Sequence, residues 1–345
     1  MNKLIALLLC SVMILSGCTN SASPSNTTPL TRNEFVLGTV VTISLYDHQS
    51  EDILDKAITK LKDLEDTLSI NKSGTLIDKI NQQAGISPVK VDEATYSLIE
   101  KGLYYCSLSK GAFDITVGPI VKLWNIGFPE ARVPSEAEIK KKLPFIGYEK
   151  VLLDKQEQTI FLSQKGMLLD LGGIGKGYAA DEIARLLKDE GIAHAIINLG
   201  GNVYVLGNNP SGEFWKVGVQ DPFNPRGEMI GFLKAQNKSI VTSGIYERFV
   251  EDHAGHKYHH ILDPKTGYPY ENDIVSVTII SDLSLDGDAL STTVFSMGLE
   301  KGMDFIEGFD GIDAIFVTAD KKVYATKTIR ENLTLTNSSF KLSSL

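Results

Sequence analysis

Cysteine is scarce in this sequence, and its placement excludes a disulfide framework. Three cysteines occur in 345 residues, and two of them, Cys10 and Cys18, fall in a short N-terminal segment of distinct composition. The third, Cys106, therefore has no partner within the folded part of the chain. It lies in a helical pattern without an adjacent histidine, so we expect a small buried core residue rather than a nucleophile.

Positive charge is also in short supply. The chain has 34 lysines and arginines against 43 aspartates and glutamates, which gives a formal net charge of −9. An acidic surface disfavours nucleic acid and anionic membrane surfaces as partners. An anionic ligand would therefore need a metal ion or backbone N–H groups at its binding site.

The N-terminal apolar run, Leu4 to Leu15, is too short to span a bilayer and predicts a cleaved signal peptide over residues 1–17. Its end, Leu-Ser-Gly-Cys, resembles the lipobox of bacterial lipoproteins, which implies lipidation of Cys18; an ordinary signal peptide with an incidental cysteine is the alternative. Residues 18–32 are rich in Ser, Thr, Asn and Pro and predict a disordered tether. The folded domain would then cover residues 33–345, anchored by lipid at the extracytoplasmic face of the bacterial cell membrane.

The rest of the chain predicts an α+β fold with mixed or antiparallel sheets, packed helices and two lobes. Apolar spacing predicts helices over 51–68 with Ser50 as N-cap, about 92–108, from Lys176 to Gly191, 285–297 and 300–307, and a capping box at Ser135 and Glu138. Strand patterns occur at 34–46, in short runs from 193 to 281, and in a final pair.

Residues 170–181, DLGGIGKGYAAD, join an apolar strand ending in Asp170 to an alanine-rich helix through clustered glycines. Glycines allow close backbone approach, and a helix N-terminus offers N–H groups to an anion. Lys176 is followed by glycine, so this is not a Walker A loop, and Tyr178 stands where a dinucleotide fingerprint needs glycine. An ordinary strand-to-helix turn is an equally good interpretation of the glycines alone.

Three further segments carry polar groups in apolar surroundings. Asp114 lies in GAFDITVGP, where burial would be costly unless the carboxylate is paired or used, although a turn aspartate is the simpler explanation. His259 and His260 precede the turn ILDPKTGYP, and strand alternation lets only one of them face a given site.

The third segment is SLDGDALSTTVFSMG at 284–298. If Asp288 starts or caps a helix, Thr292 lies one turn later on the same face. A carboxylate and a hydroxyl at that spacing can share a hard cation, whereas a capping aspartate beside an unrelated threonine is the default alternative.

Together these segments resemble the ApbE family, the FAD:protein FMN transferases. The matching motifs are DLGGIGKGYAAD, FDITVGP, TSG-YERF, HHILDPKTGYP and DALSTTVFSMG, and the resemblance extends from Gly38 to about residue 326. It implies an ApbE-like α+β fold with two lobes around an FAD cleft.

The resemblance implies transfer of the FMN half of FAD to a Thr or Ser hydroxyl of an acceptor protein through a phosphoester bond, with release of AMP. Magnesium would bind Asp288, Thr292 and the carbonyl of Gly173, while Ser291 replaces a second aspartate that some members have. The FAD contacts it implies are Leu37, Asn71, Ala112, Phe113, Asp114, Asp170, Lys176, Ile261 and Leu262. Asn71 stands where many members have a tyrosine that covers the flavin ring.

His260 is our candidate general base, because it aligns with the histidine that the resembled family has before the I-[IL]-D-P turn, and a histidine of near-neutral pKa suits that task. His259 is the weaker candidate, since it lies on the opposite strand face. Acceptors in the resembled family are extracytoplasmic electron-transfer proteins with the motif D-G-x-[ST]-[GS]-A-[ST]. Two alternatives stay open: a magnesium-dependent FAD pyrophosphatase that gives FMN and AMP, and an FAD-binding lipoprotein without chemistry.

Overall fold

The computed structural model describes residues 28–345, so the predicted signal peptide, Cys18 and most of the predicted tether lie outside the described residues. The tether boundary is wrong at its end, because the first strand already begins at Leu30. This strand pairs with the next one along the chain, and the hydroxyls of Thr31 and Ser44 lie at hydrogen-bond distance, 2.9 Å, across the pair. Pairing with a neighbouring strand thus orders a segment whose polar composition predicted disorder.

Most strands of the described residues belong to one nine-stranded sheet, in the order β1-β2-β6-β7-β10-β13-β14-β15-β17. Two three-stranded sheets, β16-β9-β8 and β3-β5-β4, and the hairpin β11-β12 complete the set. The strands are β1 Leu30–Val36, β2 Thr39–Leu45, β3 Val89–Lys90, β4 Val151–Asp154, β5 Thr159–Leu162, β6 Ala195–Leu199, β7 Asn202–Leu206, β8 Trp215–Gln220, β9 Met229–Ala235, β10 Lys238–Gly244, β11 Phe249–Glu251, β12 Lys257–His259, β13 Ile274–Ser281, β14 Asp313–Thr318, β15 Lys322–Ala325, β16 Thr334–Leu335 and β17 Lys341–Leu342.

The single strand expected at 34–46 is instead a hairpin. Its turn consists of Leu37 and Gly38, with φ of 56° and 68°. Two consecutive residues with positive φ are the geometry of a tight hairpin turn whose twist matches that of the flanking strands. The turn lies beside Val36, paired with Thr39 at the last ladder position.

Nine α-helices occur between residues 28 and 345, and the five helices predicted from apolar spacing are confirmed within one or two residues at each end. The helices are α1 Glu51–Leu68, α2 Leu76–Gln82, α3 Glu93–Leu108, α4 Gly118–Trp124, α5 Glu136–Lys142, α6 Gly175–Asp189, α7 Ser284–Met297, α8 Leu299–Glu307 and α9 Lys327–Asn332. The capping box of Ser135 and Glu138 is present at α5. Ser50 does precede α1, but its side chain makes no capping hydrogen bond.

The central strand β13 is buried along its whole length because the large sheet is covered on both faces. Ile279 belongs to a hydrophobic cluster with helices α1, α6 and α7, whereas its neighbour Ile280 belongs to a second cluster with β8 and β9. Side chains of a strand alternate between the two faces of its sheet. One face of the large sheet packs against helices and the other against the smaller sheet that contains β8 and β9, which explains the two clusters. The α+β class is thereby confirmed, and the two lobes stay a prediction.

Cys106 is a core residue, as predicted. Its side chain is fully buried, and the N–H of Ile115 donates to its sulfur at 3.3 Å. Burial raises the pKa of the thiol far above its ordinary value, which keeps it protonated and unreactive. Among residues 28–345, no helix combines the length and the apolar character that crossing a bilayer would require.

Candidate active site

Asp288 lies in the second turn of α7 and faces the first turn of α6. Its carboxylate is 3 % exposed, Lys176 approaches Oδ1 with Nζ at 3.2 Å, and the N–H of Gly177 donates to Oδ2 at 2.9 Å. The expectation that Asp288 starts or caps its helix is wrong. The N-terminus of α7 is bound instead by Asp181, which accepts from the N–H groups of Ser284 at 2.7 Å and Leu285 at 2.9 Å.

Gly177 allows this approach of the two helices. A Cβ on Gly177 would lie 2.3 Å from the carbonyl oxygen of Ser284, so only glycine fits between α6 and α7. The N–H of Gly177 also leaves the usual helical pattern, in which it would donate to the carbonyl four residues earlier. That carbonyl belongs to Gly173 and accepts no hydrogen bond anywhere in residues 28–345. The glycine loop therefore presents a free backbone oxygen beside a buried carboxylate.

The two hydroxyls that follow Asp288 differ in their surroundings. Ser291 is fully buried, donates to the carbonyl of Asp288 at 2.9 Å and lies 2.8 Å from the hydroxyl of Ser243. Thr292 is half-buried, and its hydroxyl makes no hydrogen bond within the described part of the chain. Of the two, Thr292 has the hydroxyl that is available to a ligand.

No group of three or more His, Cys, Asp and Glu side chains with metal-binding geometry occurs in residues 28–345. The donors that surround the contact between α6 and α7 are instead one carboxylate, one hydroxyl and one carbonyl, from Asp288, Thr292 and Gly173. All three are hard oxygen ligands of the kind that Mg²⁺ accepts, with water or phosphate completing its coordination.

Asp170 lies at the start of the same glycine loop. It accepts from the N–H of Gly172 at 2.8 Å, and burial raises the pKa of its carboxyl, against the opposing charges of Lys122 and Lys176. Lys122, on α4, donates to the side-chain oxygen of Asn71 at 2.6 Å. Lys122 was not predicted from the sequence, since nothing local distinguishes it from a solvated surface lysine.

Asp114 makes structural contacts with both oxygens. Oδ1 accepts from the backbone N–H and the hydroxyl of Thr116, each at 2.7 Å, and Oδ2 accepts from the N–H of Tyr148 at 3.1 Å. Burial raises the pKa of this carboxyl while these donors lower it. The turn role that the sequence offered as the simpler explanation is therefore present.

Phe113 packs against the glycine loop, and Ala112 connects this region to a later segment of the chain. The Phe113 ring would lie 2.7 Å from a Cβ on Gly173, so this glycine is needed for close packing as well as for its free carbonyl. The carbonyl of Ala112 accepts from the hydroxyl of Tyr270 at 2.9 Å, which joins this segment to the chain that follows the histidine pair.

His260 and His259 differ in the hydrogen bonds of their ring nitrogens. For His260, Nδ1 lies 3.2 Å from the carbonyl oxygen of Arg248, which can only accept, so the proton is on Nδ1 and Nε2 keeps a lone pair. Burial, with smaller contributions from the positive charges of Arg248 and Lys176, lowers the pKa of His260 to about 3, well below the near-neutral value expected from the sequence.

Both ring nitrogens of His259 are engaged in backbone contacts. Nδ1 accepts from the N–H of Ile261 at 3.2 Å, and Nε2 lies 2.9 Å from the carbonyl of Tyr270. Its ring contacts Phe295, and burial lowers its pKa as well. This histidine has no nitrogen left for a substrate, which agrees with the choice of His260.

The remaining residues predicted to contact FAD can meet a ligand mainly through their backbone atoms. Leu37 donates its N–H to Glu65 at 2.7 Å within the hairpin turn. The side chains of Ile261 and Leu262 are buried in two different hydrophobic clusters, so only their backbone is placed to meet a ligand. On the other side of β12, a cleft of about 400 Å³ is lined by aromatic residues including Tyr258, Tyr268, Tyr270 and Phe295. None of these four was predicted as a site residue.

Comparison with protein families matches residues 37–316 to the ApbE family. A Klebsiella pneumoniae protein named FAD:protein FMN transferase is 40% identical over 288 residues, which cover 84% of this chain and 89% of that protein. A Treponema pallidum protein of the same name is 36% identical, with 96% of each chain covered.

Solved structures agree in fold. The ApbE protein from Thermotoga maritima superposes with a TM-score of 0.80 at 33% identity, covering 88% of this chain and 99% of that one. The flavin transferase ApbE from Vibrio cholerae gives a TM-score of 0.78 at 26% identity, covering 89% of this chain and all of that one.

Proposed function

This chain belongs to the ApbE family, and from that premise we propose that it is a magnesium-dependent FAD:protein FMN transferase. It moves the FMN moiety of FAD to a Thr or Ser hydroxyl of an acceptor protein and releases AMP. The observation that carries this proposal is the contact between α6 and α7, which we call the α6–α7 junction. There the N–H of Gly177 donates to Asp288 instead of to the carbonyl of Gly173, and that carbonyl is left free.

The oxygen donors at this junction fit Mg²⁺. Asp288, Thr292 and Gly173 supply a carboxylate, a hydroxyl and a carbonyl, while the hydroxyl of Ser291 is already used by Ser243. Bound magnesium neutralises the charge of a pyrophosphate and stabilises the departing phosphate. The net charge of −9 makes such local compensation necessary for an anionic substrate.

Residues of the glycine loop bind the pyrophosphate of FAD. The N-terminus of α6 presents the positive end of a 15-residue helix. Lys176 adds an ammonium group that is 31 % exposed and reaches the junction from the same turn. The flavin half extends toward Phe113 and Asp170, on the side where Lys122 holds Asn71.

His260 takes the proton of the acceptor hydroxyl. Its Nδ1–H points to the carbonyl of Arg248, so Nε2 accepts the proton as the hydroxyl oxygen bonds to the FMN phosphorus. The bond from that phosphorus to the bridging oxygen breaks, and AMP leaves with that oxygen. The low pKa keeps His260 neutral before the reaction, and the negative charge of bound pyrophosphate raises its pKa toward the working pH.

The test uses a carrier protein with the sequence D-G-x-T-G-A-T fused at its C-terminus. The purified chain, FAD and MgCl2 should give flavin fluorescence on the carrier in a denaturing gel, and the variant His260→Ala should give none while it still binds FAD. His253→Ala is the matched control, because His253 lies exposed on the β11–β12 turn. Release of FMN without labelling of the carrier would favour the pyrophosphatase instead.

The protein acts outside the cytoplasmic membrane, anchored by a lipid on Cys18. This part of the proposal rests on the sequence Leu-Ser-Gly-Cys and the apolar run before it. Expressed in a bacterium, the chain should partition into the membrane fraction. Cys18→Ala should move it to the soluble fraction, and unchanged partition would contradict the anchor.

A further inference from the structure

Exposed apolar side chains collect at the tip of the β1–β2 hairpin. Phe35 is 71 % exposed and Val40 56 % exposed, and the two face each other as a cross-strand pair. They flank the turn of Leu37 and Gly38, one of the segments assigned to the FAD site. Exposed apolar groups that adjoin one another on a soluble protein mark surfaces that contact a partner.

Arg248 connects this tip to two further segments. Its guanidinium donates to the carbonyl of Gly38 at 2.9 Å, and its side chain packs against Gly127, where a Cβ would lie 3.1 Å from Cδ. Two exposed aromatics adjoin these contacts: Phe128, which follows Gly127, is 40 % exposed, and Phe249, which follows Arg248, is 42 % exposed. We call the surface formed by Phe35, Val40, Phe128, Arg248, Phe249 and Lys257 the Arg248 rim.

The rim is cationic although the chain as a whole is acidic. Neither Arg248 nor Lys257 forms an ion pair within residues 28–345, and Lys257 places its ammonium 4.6 Å from the centre of the Phe249 ring. Glu251 lies opposite Lys257 in the strand register but makes no salt bridge with it, and Glu247 is paired with Arg226. Unpaired cations among exposed aromatics complement a polypeptide that carries both carboxylates and apolar side chains.

The rim is also continuous with the proposed base. The carbonyl of Arg248 accepts from the N–H of His260 at 3.1 Å and lies 3.2 Å from its Nδ1. A polypeptide seated on the rim would therefore deliver a side chain directly to His260. A membrane surface or a second copy of the chain has no such reason to lie beside the base.

We propose that the Arg248 rim is the docking surface for the acceptor protein, and that it binds an acidic, partly apolar segment next to the reacting hydroxyl. This inference rests on the proposed transferase function. It assigns the choice of protein substrate to residues that contact neither magnesium nor FAD.

The test measures steady-state flavin transfer to the tagged carrier protein by the wild-type chain and by the double variant Phe35→Thr/Val40→Thr. Threonine preserves strand propensity while removing the apolar surface. We expect the KM for the carrier to rise at least 10-fold, with the kcat at saturating carrier and the Kd for FAD unchanged. Leu152→Thr changes an apolar residue on β4 that is 53 % exposed; it is the matched control and should change nothing.

An unchanged KM for the carrier would overturn the docking role. A parallel loss of FAD affinity would also overturn it, because the rim would then belong to the FAD site. Sedimentation that shows a dimer for the wild-type chain and a monomer for the double variant would assign the surface to self-association instead. If the wild-type chain itself transfers no flavin while binding FAD, the proposed function fails first and the docking role falls with it.

Discussion

Lys176 and Asp288 are 112 positions apart in the chain, yet the Lys176 ammonium lies 3.2 Å from the Asp288 carboxylate. The contact joins the first turn of α6 to the second turn of α7. It places one half-buried cation and one buried anion at the same point, where a phosphate group and a metal ion can each find an opposite charge.

Asp288→Asn should remove the charge that we propose holds Mg²⁺. The amide keeps one oxygen for the N–H of Gly177 but offers no carboxylate, so we expect Mg²⁺ affinity to fall at least 10-fold and transfer at least 100-fold. Isothermal titration with MgCl2 in the presence of FAD measures the first effect. Retention of wild-type Mg²⁺ affinity would exclude Asp288 as a ligand.

Thr292→Val and Ser291→Ala separate the two hydroxyls. The Thr292 hydroxyl has no other contact in the described residues, so its loss should weaken Mg²⁺ binding with little effect on stability. Ser291→Ala removes two buried hydrogen bonds and should lower the free energy of unfolding by about 1–2 kcal/mol while Mg²⁺ affinity stays the same. The opposite pattern would make Ser291 the ligand.

Gly177→Ala should destabilise the protein strongly. The added Cβ meets the backbone of α7 at 2.3 Å, so the helices must separate, and we expect a loss of about 2–4 kcal/mol in urea denaturation. Gly175→Ala is the control in the same helix, since nothing lies within 4 Å of its Cβ. That variant should be neutral or stabilised by about 0.5–1 kcal/mol.

The pH profile should identify the base. Because burial lowers the pKa of His260 to about 3, the free enzyme keeps the neutral imidazole down to that pH. We therefore expect kcat/KM to show no fall between pH 8 and pH 5 attributable to a histidine of ordinary pKa, 6.5. An imidazole titration near pH 6.5 in the NMR spectrum of the wild-type protein that is absent from the variant His260→Asn would contradict the buried, neutral state.

Asp181 gives a stability difference of defined sign. Burial raises its pKa from 3.8 to about 6, so the folded state binds this proton more tightly than the unfolded chain does. Its contribution to stability is complete below pH 3.8 and is lost as the pH rises through 6. Relative to Asp181→Asn, the wild-type free energy of unfolding should increase by about 1 kcal/mol between pH 7 and pH 5. A decrease in the free energy of unfolding from pH 7 to pH 5 would show instead that the ionised carboxylate is the more stabilising form, through its hydrogen bonds to the N-terminus of α7.

Local patterns predicted much of the fold. The helices α1, α3, α6, α7 and α8 follow from apolar spacing because each buries one face in the main hydrophobic cluster. The strand patterns predicted between residues 193 and 281 did not include β10, since its serines and threonine interrupt the apolar run. Ser239 is nevertheless fully buried and donates to Ser284 on α7 at 2.8 Å, whereas Thr242 and Ser243 are half-buried.

Only part of the contact network around the candidate site could be predicted from the sequence. Asp288 and Thr292 could be paired because they are one helical turn apart. The contact of Arg248 with Gly38 spans 210 positions, and that of Lys122 with Asn71 spans 51, so neither leaves a local signal. Asp114 illustrates the same limit, since a buried carboxylate was expected to need partners but Tyr148, 34 residues later, could not be named.

The order of strands has a consequence for how the chain folds. β2 pairs with β6, from Val41 opposite Leu199 to Leu45 opposite Ala195, whereas β6, β7, β10, β13, β14 and β15 follow one another through the sheet. Closing the long loop between β2 and β6 costs more chain entropy than forming the successive neighbours. The β1–β2 hairpin should therefore join last, and with it the turn of Leu37 and Gly38. The FAD site proposed above would then be completed only at the final folding step.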